Sequence, residues 1–531
     1  MKSFLNKTLT IKQIVALIFL PLVLLGTIFV FTIGTYSIHS AEAVTKDTLT
    51  AKVINIAPEP VVIDTSAFGK LYAYVDSINN SKMLFGGGWS FYLADADSGQ
   101  AVCEVDIDHA LMPASVMKII TTGTALSILG PDYRFSTSLQ YDGSIDPKRK
   151  ILYGNIYIHG SGDPTLGSET FGGNLSKTAE QWAFAIKKMG IDSIAGSIIG
   201  DAESFDRDPI PSGWTWSDVQ SNYGAGSCGL NIHENVFDFF VVNHNGQLRI
   251  STSPIIPGMK LYNQVLLNPA VEKSYAYVLG APFQFDRTVL GEVSKLLKER
   301  ASIPDPALLC AQALKSALWD DGIGLRDSVS TMRLRRLNNV KPSSEKTKIL
   351  ITSFFSPKLS EIVYHTNQVS QNFYAESILR AVSLQQKGFG NAGSSVNIFC
   401  DYWKSRNIDL RGFCMSDGCG LSRMNTVTTH QLVEMLRVYA KDSAVFPAFY
   451  NSLPVAGESG TIRKLAGGTA AEGNLHAKSG TMSRVKSYAG YVKTKSGKML
   501  CFAMIANNTQ WEEKQLKDKF EKLFVLMADL P

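Results

Sequence analysis

Ser115 and Lys118 stand in a Ser-x-x-Lys tetrad, Ser115-Val116-Met117-Lys118, placed just after Pro113. A serine hydroxyl is a weak nucleophile until an adjacent base takes its proton. On a helix, positions i and i+3 share a face, so the amine of Lys118 can reach the Ser115 oxygen without any loop having to close. Two more polar clusters follow, Ser370-Gln371-Asn372 and then Lys478-Ser479-Gly480-Thr481. In this order the three are the elements of a serine acyl-enzyme site.

The surrounding pattern separates these matches from chance. Ser-x-x-Lys recurs at Ser343 and Ser483, Ser-x-Asn at Ser77 and Ser395, and Lys-Ser-Gly at Lys495. Ser343 lies in a polar stretch (341–348) that reads as a linker, and Lys495 sits at a hairpin tip, where a polar glycine turn needs no function. Ser115 instead opens a predicted helix through Ile119, Ile120, Leu126 and Leu129 that stops at Gly130-Pro131. Lys478 leads into an apolar strand. Trp89 to Asp95 and Gln100 to Val105 read as strands around the turn at 96–99. Ser487 to Lys493 and Lys498 to Ala506 read as a second pair. A capping box at Thr509 and Glu512 predicts a closing helix with an apolar face of Leu516, Phe520, Leu523, Phe524 and Met527. Between about 140 and 345, short β-rich runs broken by Gly, Pro and Asn predict an inserted, mostly β module.

The chain has 531 residues and a formal charge of +5. No basic run stands out, so nucleic acid is not an expected partner. Lys2, Lys7 and Lys12 precede an uncharged, mostly apolar stretch from Ile14 to Ile38. It is long enough to span a bilayer and predicts a signal anchor, or a long signal peptide cleaved near Ser40-Ala41-Glu42-Ala43, with the body outside. Export to the periplasm or the outer face of the inner membrane follows, with a membrane contact if the segment is uncleaved. Seven cysteines show no C-x-x-C and no metal framework. Cys414 and Cys419 could oxidise in an exported protein, but small buried thiols are the expectation for most. The expected segments are 1–43 (anchor or signal), 44–140 and 346–531 (two parts of one catalytic domain) and 141–345 (the insertion).

With these residues in view, the chain resembles the penicillin-binding D-alanyl-D-alanine carboxypeptidases and endopeptidases of the low-molecular-mass class C type. The resemblance spans most of 80–508. It rests on Met112 to Lys118, Gly162-Asp163-Pro164-Thr165-Leu166, Tyr223-Gly224-Ala225, Asn231 to Asn235, Ser370 to Glu376, Asp417 to Asn425 and the Lys478 segment. Gln371 and Ser479 depart mildly from the family's more usual Asp or Asn and Thr. The resemblance implies an α/β, β-lactamase-like serine transpeptidase-type domain with a large insertion between the first and second motifs. It implies peptidoglycan stem peptides and β-lactams as partners, and no metal or organic cofactor. Its implied roles are nucleophile for Ser115, general base for Lys118 and proton relay for Ser370. Asn372 would bond the substrate amide, and Lys478, Ser479 and Thr481 would bind the terminal carboxylate. Lys478 would also lower the Lys118 pKa, and the amides of Ser115 and Thr481 would form an oxyanion hole. Asp201 resembles a family position that would meet the distal amino group of the peptide; a turn-forming Asp is the alternative.

Two other functions stay open on sequence: a serine β-lactamase sharing the first step, and an inactive wall-binding scaffold. Other chemistries fail. His233-Glu234 lacks the second His of a zincin motif, no G-x-S-x-G elbow exists, and Gly86-Gly87-Gly88 is not followed by a phosphate-loop Lys. Oligomeric state is not legible.

Overall fold

The computed structural model describes residues 64–340 and 347–531. The predicted anchor or signal (1–43) and most of the predicted linker fall outside these residues. No helix among the described residues is long and apolar enough to cross a membrane.

A five-stranded antiparallel sheet organises the catalytic domain. Its order is Leu475–Met482, Val485–Lys493, Met499–Asn507, Gly88–Asp95, Ala101–Val105. Strands from the two ends of the chain are thus neighbours, Trp89 opposite Ala506 and Phe91 opposite Met504. The two inner strands of the C-terminal trio are buried at nearly every position, as expected of a sheet covered on both faces. One face carries the helices Ala67–Asn79 and Glu513–Ala528, sealed by Leu71, Phe91, Phe502, Phe520 and Phe524. The other carries Met117–Leu129, Leu359–Gln368, Asn372–Lys387, Ala392–Lys404 and Thr429–Lys441 around Ile120, Leu126, Phe373, Trp403 and Tyr439.

The helix Met117–Leu129 is rich in β-branched residues, and burial rather than intrinsic propensity holds it. Every residue from Met117 to Leu126 is buried, the signature of a central helix. It ends at Gly130, whose φ of 85° stops the helix at minimal steric cost. The closing helix starts later than its sequence signal suggests. Its cap is Glu512, paired with Gln515, and not Thr509. The preceding strand runs to Asn507 and the Asn508 amide still bonds the Arg484 carbonyl, so Thr509 lies in the turn.

The insertion is mostly β by strand content, as read from sequence, and carries helices as well. It contains the helices Leu175–Lys187 and Pro306–Asp320, which bury Trp182, Ala183, Leu309 and Leu314 in one core. Its largest sheet includes Ser136–Tyr141 and Ile349–Phe355, paired with each other. The excursion therefore begins and ends a few residues outside the 141 and 345 drawn from sequence. It rests on the helix Asn372–Lys387, through Ser227 to Ser377 (2.8 Å) and Tyr374 to Glu234 (3.2 Å). It also meets the 417–425 loop, where Trp214 Nε1 donates to Asp417 Oδ2 at 2.7 Å. All seven cysteines are free. Cys414 is exposed and Cys419 buried, so the pairing considered from sequence is not formed.

Candidate active site

Ser115 lies in a 3-10 turn, Ala114–Val116, that passes directly into the helix Met117–Leu129. The predicted helix is therefore present, but its first turn is tighter than α, a geometry that nearly eclipses i and i+3. Ala114 has φ 47°, an uncommon value for a residue with a Cβ. Three anchors hold the turn to the sheet. Asn507 donates to the Met112 carbonyl (3.0 Å) and accepts from its amide (2.8 Å), and Ser487 Oγ donates to the Pro113 carbonyl (2.5 Å).

Lys118 is fully buried. Its Nζ lies 3.0 Å from Ser115 Oγ, 2.7 Å from Asn372 Oδ1 and 2.7 Å from the Cys419 carbonyl. An ammonium donates all three bonds. A neutral amine donates two and presents one lone pair. Of the three partners only Ser115 carries a hydrogen, since the other two are carbonyl-type acceptors. Loss of a proton from Lys118 therefore leaves its lone pair facing the Ser115 hydroxyl. Asn372 is oriented by a second bond, Nδ2 to the Tyr223 carbonyl at 3.0 Å, which brings the insertion to the site's edge.

Ser370 sits in the left-handed region, φ 60°, directly before Gln371, the N-cap of the helix Asn372–Lys387. Its Oγ accepts from Lys478 Nζ at 2.8 Å, and Lys478 also donates to the Ser479 carbonyl at 2.8 Å. Ser479 Oγ donates to Thr461 Oγ1 (2.7 Å) and Thr481 Oγ1 accepts from Lys486 (2.7 Å). Gly480 presses the strand against the nucleophile turn. A Cβ there would stand 2.5 Å from the Pro113 carbonyl and 3.1 Å from the Ser115 amide. Gly480→Ala is expected to push the two apart, cutting penicillin acylation by about 100-fold and stability by about 1–3 kcal/mol. Stopped-flow labelling and thermal melts measure both.

Burial lowers the pKa of Lys118, opposed by Cys419, Asp417 and Glu376. Burial, and then repulsion from Lys118, pushes Lys478 well below the usual lysine range. Sequence reasoning gave the charge of Lys478 as the lever on Lys118; burial is what lowers Lys118 here. Glu376 was missed as a contributor. Its Oε1 accepts from the amides of Gly418 (2.8 Å) and Cys419 (2.9 Å), which aims the Cys419 carbonyl at Lys118. Burial, and then Asp417, raises the Glu376 carboxyl to about 7. Once ionised it favours the Lys118 ammonium. Glu376→Gln keeps an acceptor for both amides and removes that charge, so the rising limb of acylation against pH is expected to move to lower pH by up to about one unit. A pH series of acylation rates reads the shift; a limb moving upward contradicts it.

The buried cluster Glu376, Asp417 and Cys419 has potential metal-ligating atoms within 4.8 Å of one another. Its carboxylates are already engaged by N–H donors. Asp417 accepts from the amides of Gly420 and Ser422, from Asn425 and from Trp214. The 417–425 loop is thus a scaffold behind Lys118. Asp201 is not brought to the cluster. It ends a strand of the insertion, bonded by Lys348 (2.8 Å), His159 (3.1 Å) and the Glu203 amide (3.1 Å). Burial pushes its pKa up, but His159 and Lys348 outweigh this and hold it low. His476 is half-buried and stacks on Tyr450 at 4.0 Å, a packing role.

The chain is similar to known proteins over most of its length. The D-alanyl-D-alanine carboxypeptidase of Actinomadura sp. (strain R39) is 27% identical over 493 residues, 88% of this chain and 87% of that protein. The D-alanyl-D-alanine carboxypeptidase DacB of Haemophilus influenzae is 23% identical over 447 residues, 82% of this chain and 89% of that protein. The crystal structure of penicillin binding protein 4 (dacB) from Haemophilus influenzae superposes with a TM-score of 0.73 at 20% identity. The match covers 86% of this chain and 98% of that one, and shows the shared fold. Residues 71–530 match the D-Ala-D-Ala carboxypeptidase 3 (S13) family, and the chain belongs to that family.

Proposed function

We propose that this protein is a serine D-alanyl-D-alanine carboxypeptidase that also takes β-lactams and opens D-amino acid cross-links. The single observation that carries the reading is the Lys118 amine held between Ser115, Asn372 and the Cys419 carbonyl. Neutral Lys118 takes the Ser115 proton as Oγ attacks the carbonyl of the penultimate D-alanine. The amides of Ser115 and Thr481 receive the developing oxyanion. The C–N bond breaks, and a proton passes to the departing D-alanine nitrogen through Ser370, whose oxygen is held by Lys478. Water then adds to the ester and restores the Ser115 hydroxyl. A β-lactam follows the same first step, but its amine stays tethered. In support, solved relatives of the fold include the Haemophilus influenzae protein complexed with a β-lactam.

In this reading the body is exported, working in the periplasm or on the outer face of the inner membrane. The charge-then-apolar pattern of residues 2–38 supports that placement. The test is D-alanine release from a defined stem pentapeptide, run beside a cross-linked dimer. Release from the pentapeptide is expected. A folded protein that cleaves neither substrate overturns the reading, and fast steady turnover of penicillin moves it to a β-lactamase.

A further inference from the structure

The third Ser-x-x-Lys match, Ser483 to Lys486, has no part in the acyl-enzyme cluster, yet its lysine reaches the site. Lys486 pairs directly with Thr481 across the strands Leu475–Met482 and Val485–Lys493. Its Nζ donates to Thr481 Oγ1 at 2.7 Å. The Lys486 side chain is only 9% exposed, whereas Thr481 is open to solvent. An ammonium has no lone pair, so the threonine oxygen must accept and its own proton is free to be given away. Thr481 shares a strand face with Ser479, two residues back. Two hydroxyls therefore stand side by side, and the one at 481 is fixed as a donor with a cation behind it.

A substrate carboxylate bound to these hydroxyls needs a standing positive charge. Lys478 is poorly placed to supply it. It is fully buried, and its Nζ is already engaged in donating to Ser370 and the Ser479 carbonyl. The Lys486 pKa is lowered too, by burial first and by Lys517, with Glu513 opposing; what sets Lys486 apart is its place, since its Nζ bonds the carboxylate-facing hydroxyl of Thr481 directly. Glu513 Oε1 stands 3.5 Å away and is 69% exposed. Such a solvent-screened partner leaves much of the cation's field available.

We propose that Lys486 is a specificity-determining positioning residue: it locks the Thr481 hydroxyl as a donor and places a positive charge beside the carboxylate of the bound acyl donor. This rests on the carboxypeptidase reading above. It makes preference for a free C-terminal carboxylate depend on a residue outside the three motifs.

The test compares benzylpenicillin with its methyl ester, which keeps the reactive ring and loses the charge. Second-order acylation rates are measured for wild type, Lys486→Met and Lys486→Arg, with D-alanine release from the pentapeptide alongside. For Lys486→Met, acylation by penicillin is expected to fall about tenfold or more. The ester rate should stay within about twofold, and pentapeptide KM should rise with little change in kcat. Lys486→Arg should restore most of the loss. If Lys486→Met does not fold, Lys486→Gln gives the same readout, the ratio of acid to ester rates. An unchanged ratio in a folded variant, or equal loss on both reagents, overturns the proposal. Failure of benzylpenicillin to acylate folded wild type overturns the carboxypeptidase reading itself.

Discussion

Ser115→Ala is expected to abolish both D-alanine release and covalent penicillin labelling, with a loss of about a millionfold in turnover. The reason is chemical rather than structural. Ser115 supplies a nucleophilic oxygen 3.0 Å from the Lys118 amine. Ser370 Oγ is held by Lys478 instead. The fold should survive. The nucleophile turn is fixed by Asn507 and Ser487 through the Met112 and Pro113 backbone, and neither contact uses the serine side chain. Lys118 keeps Asn372 and the Cys419 carbonyl. The melting temperature of the variant should lie within a few degrees of wild type, and non-covalent binding of stem peptide should persist. Residual labelling at more than a thousandth of the wild-type rate would point to a second nucleophile.

Lys118→Met carries the second largest effect, a fall of about 10³–10⁴-fold in acylation. Methionine matches the length of the lysine stem and removes the amine. The rate that remains should lose its rising limb against pH, because the group that must shed a proton is gone. That loss separates a base from a packing residue, which would lower the rate without flattening the profile. The stability change is a contest between two terms. Removing a buried ammonium relieves desolvation. The Asn372 Oδ1 and Cys419 carbonyl acceptors lose a donor, at about 1–3 kcal/mol each if no water replaces it. Rapid-quench labelling from pH 6 to 10, with melts at each pH, follows both. A pH profile unchanged in shape would remove Lys118 from the proton path.

The three motifs were legible because their chemistry is written in side-chain types at short spacing. Ser115 and Lys118 needed only helical geometry, and the stop at Gly130 was visible as Gly-Pro. The partners that tune them were not legible. The Cys419 carbonyl is a backbone group that any residue would offer. Glu376 matters because the 417–425 loop folds its amides onto it. Lys486 meets Thr481 only through strand register, which a two-residue turn at Ser483-Arg484 sets. The insertion's helices could have been read. Asp305 and Pro306 are an N-cap and first-turn proline, and Ala179, Trp182, Ala183 and Ile186 repeat at helical spacing. Their short neighbouring strands masked them. The Thr509 box misled because tertiary pairing at Asn507 and Asn508 keeps the chain extended past the local signal.

The most direct test is to acylate the folded protein with labelled penicillin, digest it and locate the adduct by mass spectrometry. One stoichiometric adduct on Ser115, absent from the Ser115→Ala variant, is the predicted result. An adduct on any other residue, or none on a protein shown to be folded, would contradict the account.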